Sequence, residues 1–172
     1  AGSSTGTCST CGQVEQLTEE KLLHTNGDTD TCSVCNRVVV GTEGLAYTMT
    51  PNEDGYIVSG YTGEAKDVII PDEHLGLPVV GITLNTFSGN TTIESVSIGN
   101  FVADIGANAF YNCANLKKAT IGTGVKTLGN TVFRATGLTE VTINCDATNW
   151  GSGMFAQCAS LETVNFGENV TS

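Results

Sequence analysis

The chain has 172 residues, with 7 Lys and Arg against 18 Asp and Glu, a formal net charge of −11. The acidity is shared, since residues 1–44 carry 2 basic and 6 acidic side chains (net −4) and residues 45–172 carry 5 and 12 (net −7). Both parts would repel a polyanion, which speaks against nucleic acids and anionic membranes as partners, because such affinity rests on Lys and Arg neutralising phosphates.

The small polar start, Ala1-Gly2-Ser3-Ser4-Thr5-Gly6, lacks the charged opening and apolar core of a signal peptide. No run approaches the ~18 consecutive apolar residues of a membrane-spanning helix, so no membrane insertion is expected. A mature secreted form and a trimmed piece of a longer protein both fit this start. Cys8-Ser9-Thr10-Cys11 and Cys32-Ser33-Val34-Cys35 follow. Two Cys-x-x-Cys pairs at this separation match a zinc ribbon, in which two tight turns each present two sulfurs to one tetrahedral ion. Gly12 and Asn36, directly after each second cysteine, tolerate the positive φ that such knuckles favour. Structural zinc on Cys8, Cys11, Cys32 and Cys35 is the leading expectation; two disulfides or a redox motif remain open. His24 reads as an exposed hairpin residue. Asn26-Gly27-Asp28-Thr29-Asp30 reads as a turn, because it lacks the sixth-position Gly and closing Glu of a calcium loop.

Residues 1–44 are thus read as a zinc-ribbon-like β head with its linker, and residues 45–172 as a second unit. Within the latter, 45–80 form an opening segment and 81–172 a set of regular turns. Leu45–Thr50 and Tyr56–Gly60 are expected as strands joined by Pro51-Asn52-Glu53-Asp54-Gly55, a stretch rich in turn formers. Asp67-Val68-Ile69-Ile70 is the first strand of the array, and Asp72 to Pro78 is a loop in which His74 is expected to be solvated.

Four apolar columns then share one period. Phe87, Phe110, Phe133 and Phe155 are separated by 23, 23 and 22 residues. In register with them run Ile93, Leu116, Leu138 and Leu161, then Val96, Ala119, Val141 and Val164, then Ile98, Ile121, Ile143 and Phe166. A period near 23 lies within the ~20–29 residues of a leucine-rich repeat, where each turn supplies a strand and a return arm. Lys118 to Ile121 alternates, with Ala119 and Ile121 on one side and Lys118 and Thr120 on the other, the pattern of a half-buried strand. The expected fold is an α/β leucine-rich-repeat solenoid, strand-rich, with short irregular or helical return arms carrying the phenylalanines. One turn cannot bury enough apolar surface to fold alone, so stacking must supply the rest. Cys113, Cys145 and Cys158 are expected as small buried residues, Cys113 and Cys158 being too far apart to bridge. Trp150, Phe133 and Met154 are expected as core fillers, and the glycosylation triplets at Asn90 and Asn169 as weak matches.

Ile-Gly-x-x-Ala-Phe-x-x-Cys-x-x-Leu-x-x-x-x-Ile, present as Ile105 to Ile121, resembles the BspA-type leucine-rich repeat of bacterial surface proteins. The runs Gly55 to Gly63, Asp67 to Pro71 and Gly76 to Ile82 are similar to the segment that opens such arrays. Val132, Met154, Trp150 and Thr136 depart from the Ala, Ala, Ile and Cys of the family pattern, as volume changes within one stack. The resemblance covers roughly residues 45–172. It implies an extracellular or cell-surface location in a bacterium, and adhesion or binding of a host protein.

Enzyme signatures are missing: no Gly-x-Ser-x-Gly, His-Glu-x-x-His or phosphate loop occurs, so no catalytic residue is assigned. The outward strand positions form two rows, Ser95, Lys118, Glu140, Thr163 and Ser97, Thr120, Thr142, Asn165, the kind of surface on which repeat arrays bind partners. Two functions follow. One is a non-enzymatic module binding an extracellular protein or glycan on that face; the other is a spacer or targeting module of a larger secreted enzyme or surface protein. Val170 opens a further turn, which suggests a monomeric module of a longer array, truncated at its C-terminal end.

Overall fold

The computed structural model describes residues 4–7, 14–17, 41–168 and 170. Cys8, Cys11, Cys32 and Cys35, with His24 and the turn from Asn26 to Asp30, lie outside the described residues. Strands β1 (Ser4–Thr7) and β2 (Val14–Leu17) pair antiparallel.

From residue 41 the chain winds into coils. β3 (Leu45–Met49) and β4 (Tyr56–Tyr61) form an antiparallel hairpin. β5 (Asp67–Ile70), the short β6 (Glu73–His74) and β7 (Leu77–Ile82) follow. Each later coil then contributes a four-residue and a two-residue strand: β8 (Ser95–Ile98) and β9 (Asp104–Ile105), β10 (Lys118–Ile121) and β11 (Thr127–Leu128), β12 (Glu140–Ile143) and β13 (Asn149–Trp150). β14 (Thr163–Phe166) opens the next.

Two sheets result. The first is wholly parallel, in the order β5-β8-β10-β12-β14. Its alternation follows from side-chain period 2: Val68, Ile70, Val96, Ile98, Ala119, Ile121, Val141 and Ile143 point inward and are buried. Thr42 closes the β5 edge, accepting from the Ile69 amide through its hydroxyl at 2.7 Å and donating its own amide to the Ile69 carbonyl at 3.1 Å. The second sheet runs β3-β4-β7-β9-β11-β13 with β6 paired to β7 off this path, is parallel except for the β3–β4 and β6–β7 pairs, and buries Ile82, Ile105 and Leu128.

The third side is formed by the return arms, and here the expected architecture is corrected. No helix occurs among the described residues, so the unit is an all-β solenoid rather than α/β. Nor are the arms irregular. Asn85, Phe87 and Gly89 donate their backbone amides to Ala107, Ala109 and Tyr111 of the next coil; Asn108, Phe110 and Asn112 donate to Asn130, Val132 and Arg134; Thr131, Phe133 and Ala135 donate to Ser152, Met154 and Ala156. These nine bonds span 2.7–3.1 Å. Two left-handed residues per coil make this possible: Asn85, Asn108, Thr131 and Gly153 at one position, and Gly89, Asn112, Ala135 and Gln157 at the other, with φ between 57° and 74°.

Inside, the phenylalanines form one file. Phe87 and Phe110 stack at 4.8 Å between centroids, Phe110 and Phe133 at 5.3 Å, Phe133 and Phe155 at 5.8 Å, with interplanar angles of 3°, 10° and 9°. Tyr61 closes the file at 5.3 Å from Phe87, and its hydroxyl accepts from the Ala65 amide. The thiols are more than fillers: Cys113 Sγ donates to the Phe87 carbonyl and Cys158 Sγ to the Phe133 carbonyl, each at 3.0 Å. Thr136, in the same column, donates to the Phe133 carbonyl at 2.8 Å, which explains why a hydroxyl is tolerated there. Val132 and Met154 are buried as expected. Trp150 is not: it lies on the β13 edge, 43% exposed, its indole donating to the Ala147 carbonyl, while its column mates Ile105 and Leu128 are covered by a further coil.

Ala135 holds a left-handed conformation (φ 57°) that disfavours any Cβ by ~1–2 kcal/mol. Glycine avoids that strain at an entropic cost of ~0.5–1 kcal/mol. Ala135→Gly should therefore leave stability in urea unchanged or raise it by up to ~1 kcal/mol. A clear loss would show that the left-handed arm geometry is wrong.

Candidate functional site

The outer side of the five-stranded sheet brings all eight outward positions together in two straight rows. Strand register places Ser95, Lys118, Glu140 and Thr163 side by side, and Ser97, Thr120, Thr142 and Asn165 likewise. Neighbouring rungs are spaced by ~4.8 Å, the distance between hydrogen-bonded strands. Two members were missed. Asp67 continues the first row and Ile69 the second, because β5 pairs with β8 in the same register. The signal was present in the sequence, where Asp67 to Ile70 already shows the alternation of the later strands.

Along this face the charged side chains find local partners. Ser95 Oγ donates to Asp67 Oδ1 at 2.5 Å, Lys118 Nζ lies 3.3 Å from Glu140 Oε2, and Asn165 Nδ2 donates to Glu140 Oε1 at 3.0 Å. Just outside it, Lys66 Nζ meets Glu94 Oε1 at 2.6 Å. Such pairs are solvent-screened, so they order the side chains more than they stabilise the fold. The second row offers hydroxyls and one amide beside Ile69, and no charge. Such a face can hydrogen-bond a partner along the solenoid axis.

Burial pushes the Cys113 thiol up to about 11 and raises that of Cys145, so neither supplies a thiolate near neutral pH. Among the described residues no group of three or more His, Cys, Asp or Glu could hold a metal ion. The Asn90 side chain is occupied, its Oδ1 accepting from the Thr92 amide and hydroxyl and from the Ile93 amide.

His74 overturns its expected place in a solvated loop. Residues 72–79 form a small hairpin closed by the Val79 amide on the Asp72 carbonyl, and His74 is only 8% exposed. Its ring stacks on Tyr47 at 3.7 Å and 9°, and meets Tyr56 edge-on at 4.7 Å. The contact ties this hairpin to the β3–β4 hairpin, and burial pushes the Tyr47 hydroxyl up to about 12. Burial also lowers the His74 pKa below its ordinary 6.5. The unfolded chain therefore takes the proton first: the contribution of the neutral ring is complete above ~6.5 and is lost as pH falls through that value toward the lower folded one. Unfolding midpoints should drop between about pH 7 and 5. His74→Phe, which keeps the stack without the proton, should lessen that drop; an identical pH profile would contradict this role.

The family model for the BspA type leucine rich repeat region matches residues 62–172, in 6 copies. Among solved structures the chain is similar to a leucine rich repeat protein of T. pallidum, with TM-score 0.58 and 21% identity over 72% of this chain and 83% of that one. It is similar also to a leucine-rich repeat protein from Bacteroides capillosus, with TM-score 0.61 and 17% identity over 72% and 94%. Identities this low carry the fold alone. A leucine rich cell surface protein from Faecalibacterium prausnitzii shares 28% identity at TM-score 0.52, over 74% of this chain and 42% of that one, so this chain spans less than half of that protein. No curated protein sequence matches the chain.

Proposed function

The chain belongs to the BspA-type leucine-rich repeat family, and on that premise we propose that it is a non-enzymatic module of a bacterial cell-surface or secreted protein, holding an extracellular protein or glycan on the outer side of its five-stranded sheet. The observation that carries this reading is the pair of in-register rows, Asp67 to Thr163 and Ile69 to Asn165. A row of polar side chains at fixed spacing, held on a rigid stack, is the surface that repeat arrays use for partners. The surface location rests on the family and on the F. prausnitzii relative, a leucine rich cell surface protein.

One observation favours a second reading. Lys118 is paired with Glu140, and Asp67 is engaged by Ser95, so the face already satisfies its own charges. A spacer or targeting module of a larger secreted enzyme or surface protein needs nothing more. The two readings separate on arrays of extracellular proteins and glycans probed with the chain and with a Lys118→Glu, Thr142→Arg variant. Recognition on the face predicts a ligand whose affinity falls at least ~10-fold in the variant, a loss of ~1.4 kcal/mol. Binding by neither protein supports the spacer, and equal binding by both moves the site elsewhere.

For the head, the reading is a structural zinc held by Cys8, Cys11, Cys32 and Cys35, supported by their spacing. Metal analysis should find one zinc per chain, and chelation should release it together with the thiols of these four cysteines. Two disulfides would instead give no metal and no titratable thiol from them.

A further inference from the structure

Charge is unevenly placed around the coil. The four return arms, residues 84–93, 107–116, 130–139 and 152–161, contain no Asp or Glu, although residues 45–172 hold 12 of them. Arg134 is the one charged side chain of the arms, so they carry +1 while the rest of 45–172 carries −8. Where the arms meet the first sheet, Glu94 is held by Lys66 at 2.6 Å, and Glu162 lies two coils beyond Lys117. The third side of the solenoid therefore differs in charge from the other two.

Arg134 is built into that side. Its guanidinium lies 6.0 Å from the centroid of the Tyr111 ring on the preceding coil, and its Nε donates to Gln157 Oε1 of the following coil at 3.2 Å. Both neighbouring coils are in place, so the surroundings of this side chain are complete. Ring and amide together orient the planar fork. Among the described residues its remaining N–H groups meet no acceptor. Lys117, directly after the second arm, brings another cation, its Nζ 2.9 Å from where a Cβ on Gly137 would stand, on the same arm as Arg134. The ion pairs of the described residues join Lys66 to Glu94 and Lys118 to Glu140, which leaves Arg134 and Lys117 without a carboxylate.

We infer that the outer side of the arms is a binding site for an acidic sugar, whose carboxylate or sulfate oxygens are taken by the Arg134 fork and the Lys117 ammonium. An oriented guanidinium with unused N–H groups is suited to two-pronged contact with such oxygens. The surrounding surface selects a sugar over a peptide. Ser88, Asn112 and Asn130 are exposed there and offer hydroxyl and amide groups to ring hydroxyls, while Gly89 and Ala114 keep the surface shallow. A protein partner would need an apolar centre. The large apolar side chains exposed on the arms, among the described residues, are Leu84 and Tyr111 alone, and Tyr111 already lies against Arg134. A nucleic acid would need a longer row of cations to neutralise its phosphates. Neither row of the outer sheet face takes part, so this inference and the function proposed above can fail separately.

The test is calorimetric titration of the full chain at ~0.15 M salt. The probes are tetragalacturonate, its methyl ester, which keeps the sugars and loses the charge, a sulfated galactan tetrasaccharide, and hexaglutamate. At least one of the two anionic sugars should bind about tenfold or more tightly than the ester and the peptide. Arg134→Ala should weaken that binding by about tenfold and Lys117→Ala by about threefold. Arg134→Lys, which keeps the charge and loses the fork, should also weaken it. Lys126→Ala removes the same charge just before β11 and should leave it unchanged. Protection of the Phe110 and Asn112 amides from hydrogen exchange in each variant would show that the stack is intact. Binding of neither anionic sugar, equal binding of hexaglutamate or of the ester, or equal weakening by Lys126→Ala overturns the proposal.

Discussion

Everything in this molecule depends on one coil lying flat on the next. Phe110 is fully buried because Phe87 and Phe133 stack on its two faces, and the same holds for the column of Ile98, Ile121 and Ile143. No coil encloses its own core. Hydrogen bonding follows the same axis, through two sheets and through the one-way arms, so backbone satisfaction and apolar burial are obtained by a single act of stacking. Stability in such an array is a sum over neighbouring contacts.

That coupling explains what could be read from the residues and what could not. The columns at Phe87, Val96 and Ile98 repeat in hydrophobicity, and hydrophobic period determines which side chains face inward; strand register and both outer rows were therefore legible. The arms were not. Their geometry is set by left-handed residues as different as Asn85, Thr131 and Ala135, which share a backbone conformation and no side-chain chemistry. Only the recurrence of Asn85, Asn108 and Asn112 hinted at it, since asparagine tolerates that region better than most residues. His74 was misplaced because its partner, Tyr47, lies on a different hairpin and no local pattern links them. Trp150 failed for the opposite reason: its column promised burial, but burial in a stack belongs to the neighbour that covers the residue.

The surface carries a division of labour. Inward positions are fixed by packing and tolerate small changes such as Thr136 only where a carbonyl receives the hydroxyl. Outward positions are released from packing, and there the side chains differ from coil to coil: serine, lysine, glutamate and threonine in one row, serine, threonine, threonine and asparagine in the other. A scaffold that holds its backbone independently of those residues can vary them without refolding, which is the property a recognition surface needs. The same scaffold, by burying the thiols of Cys113 and Cys145, raises both away from the thiolate form.

The most direct measure of the account is the cost of removing one ring from the middle of the file compared with one from its end. Phe110, enclosed on both faces, should cost ~3–5 kcal/mol on replacement by alanine in urea unfolding, as large buried aromatics do. Phe155, with Phe133 on one face, should cost less than half of the Phe110 value. Equal costs at the two positions, or a cost below ~1 kcal/mol at Phe110, would mean that the coils are not held together by covering one another.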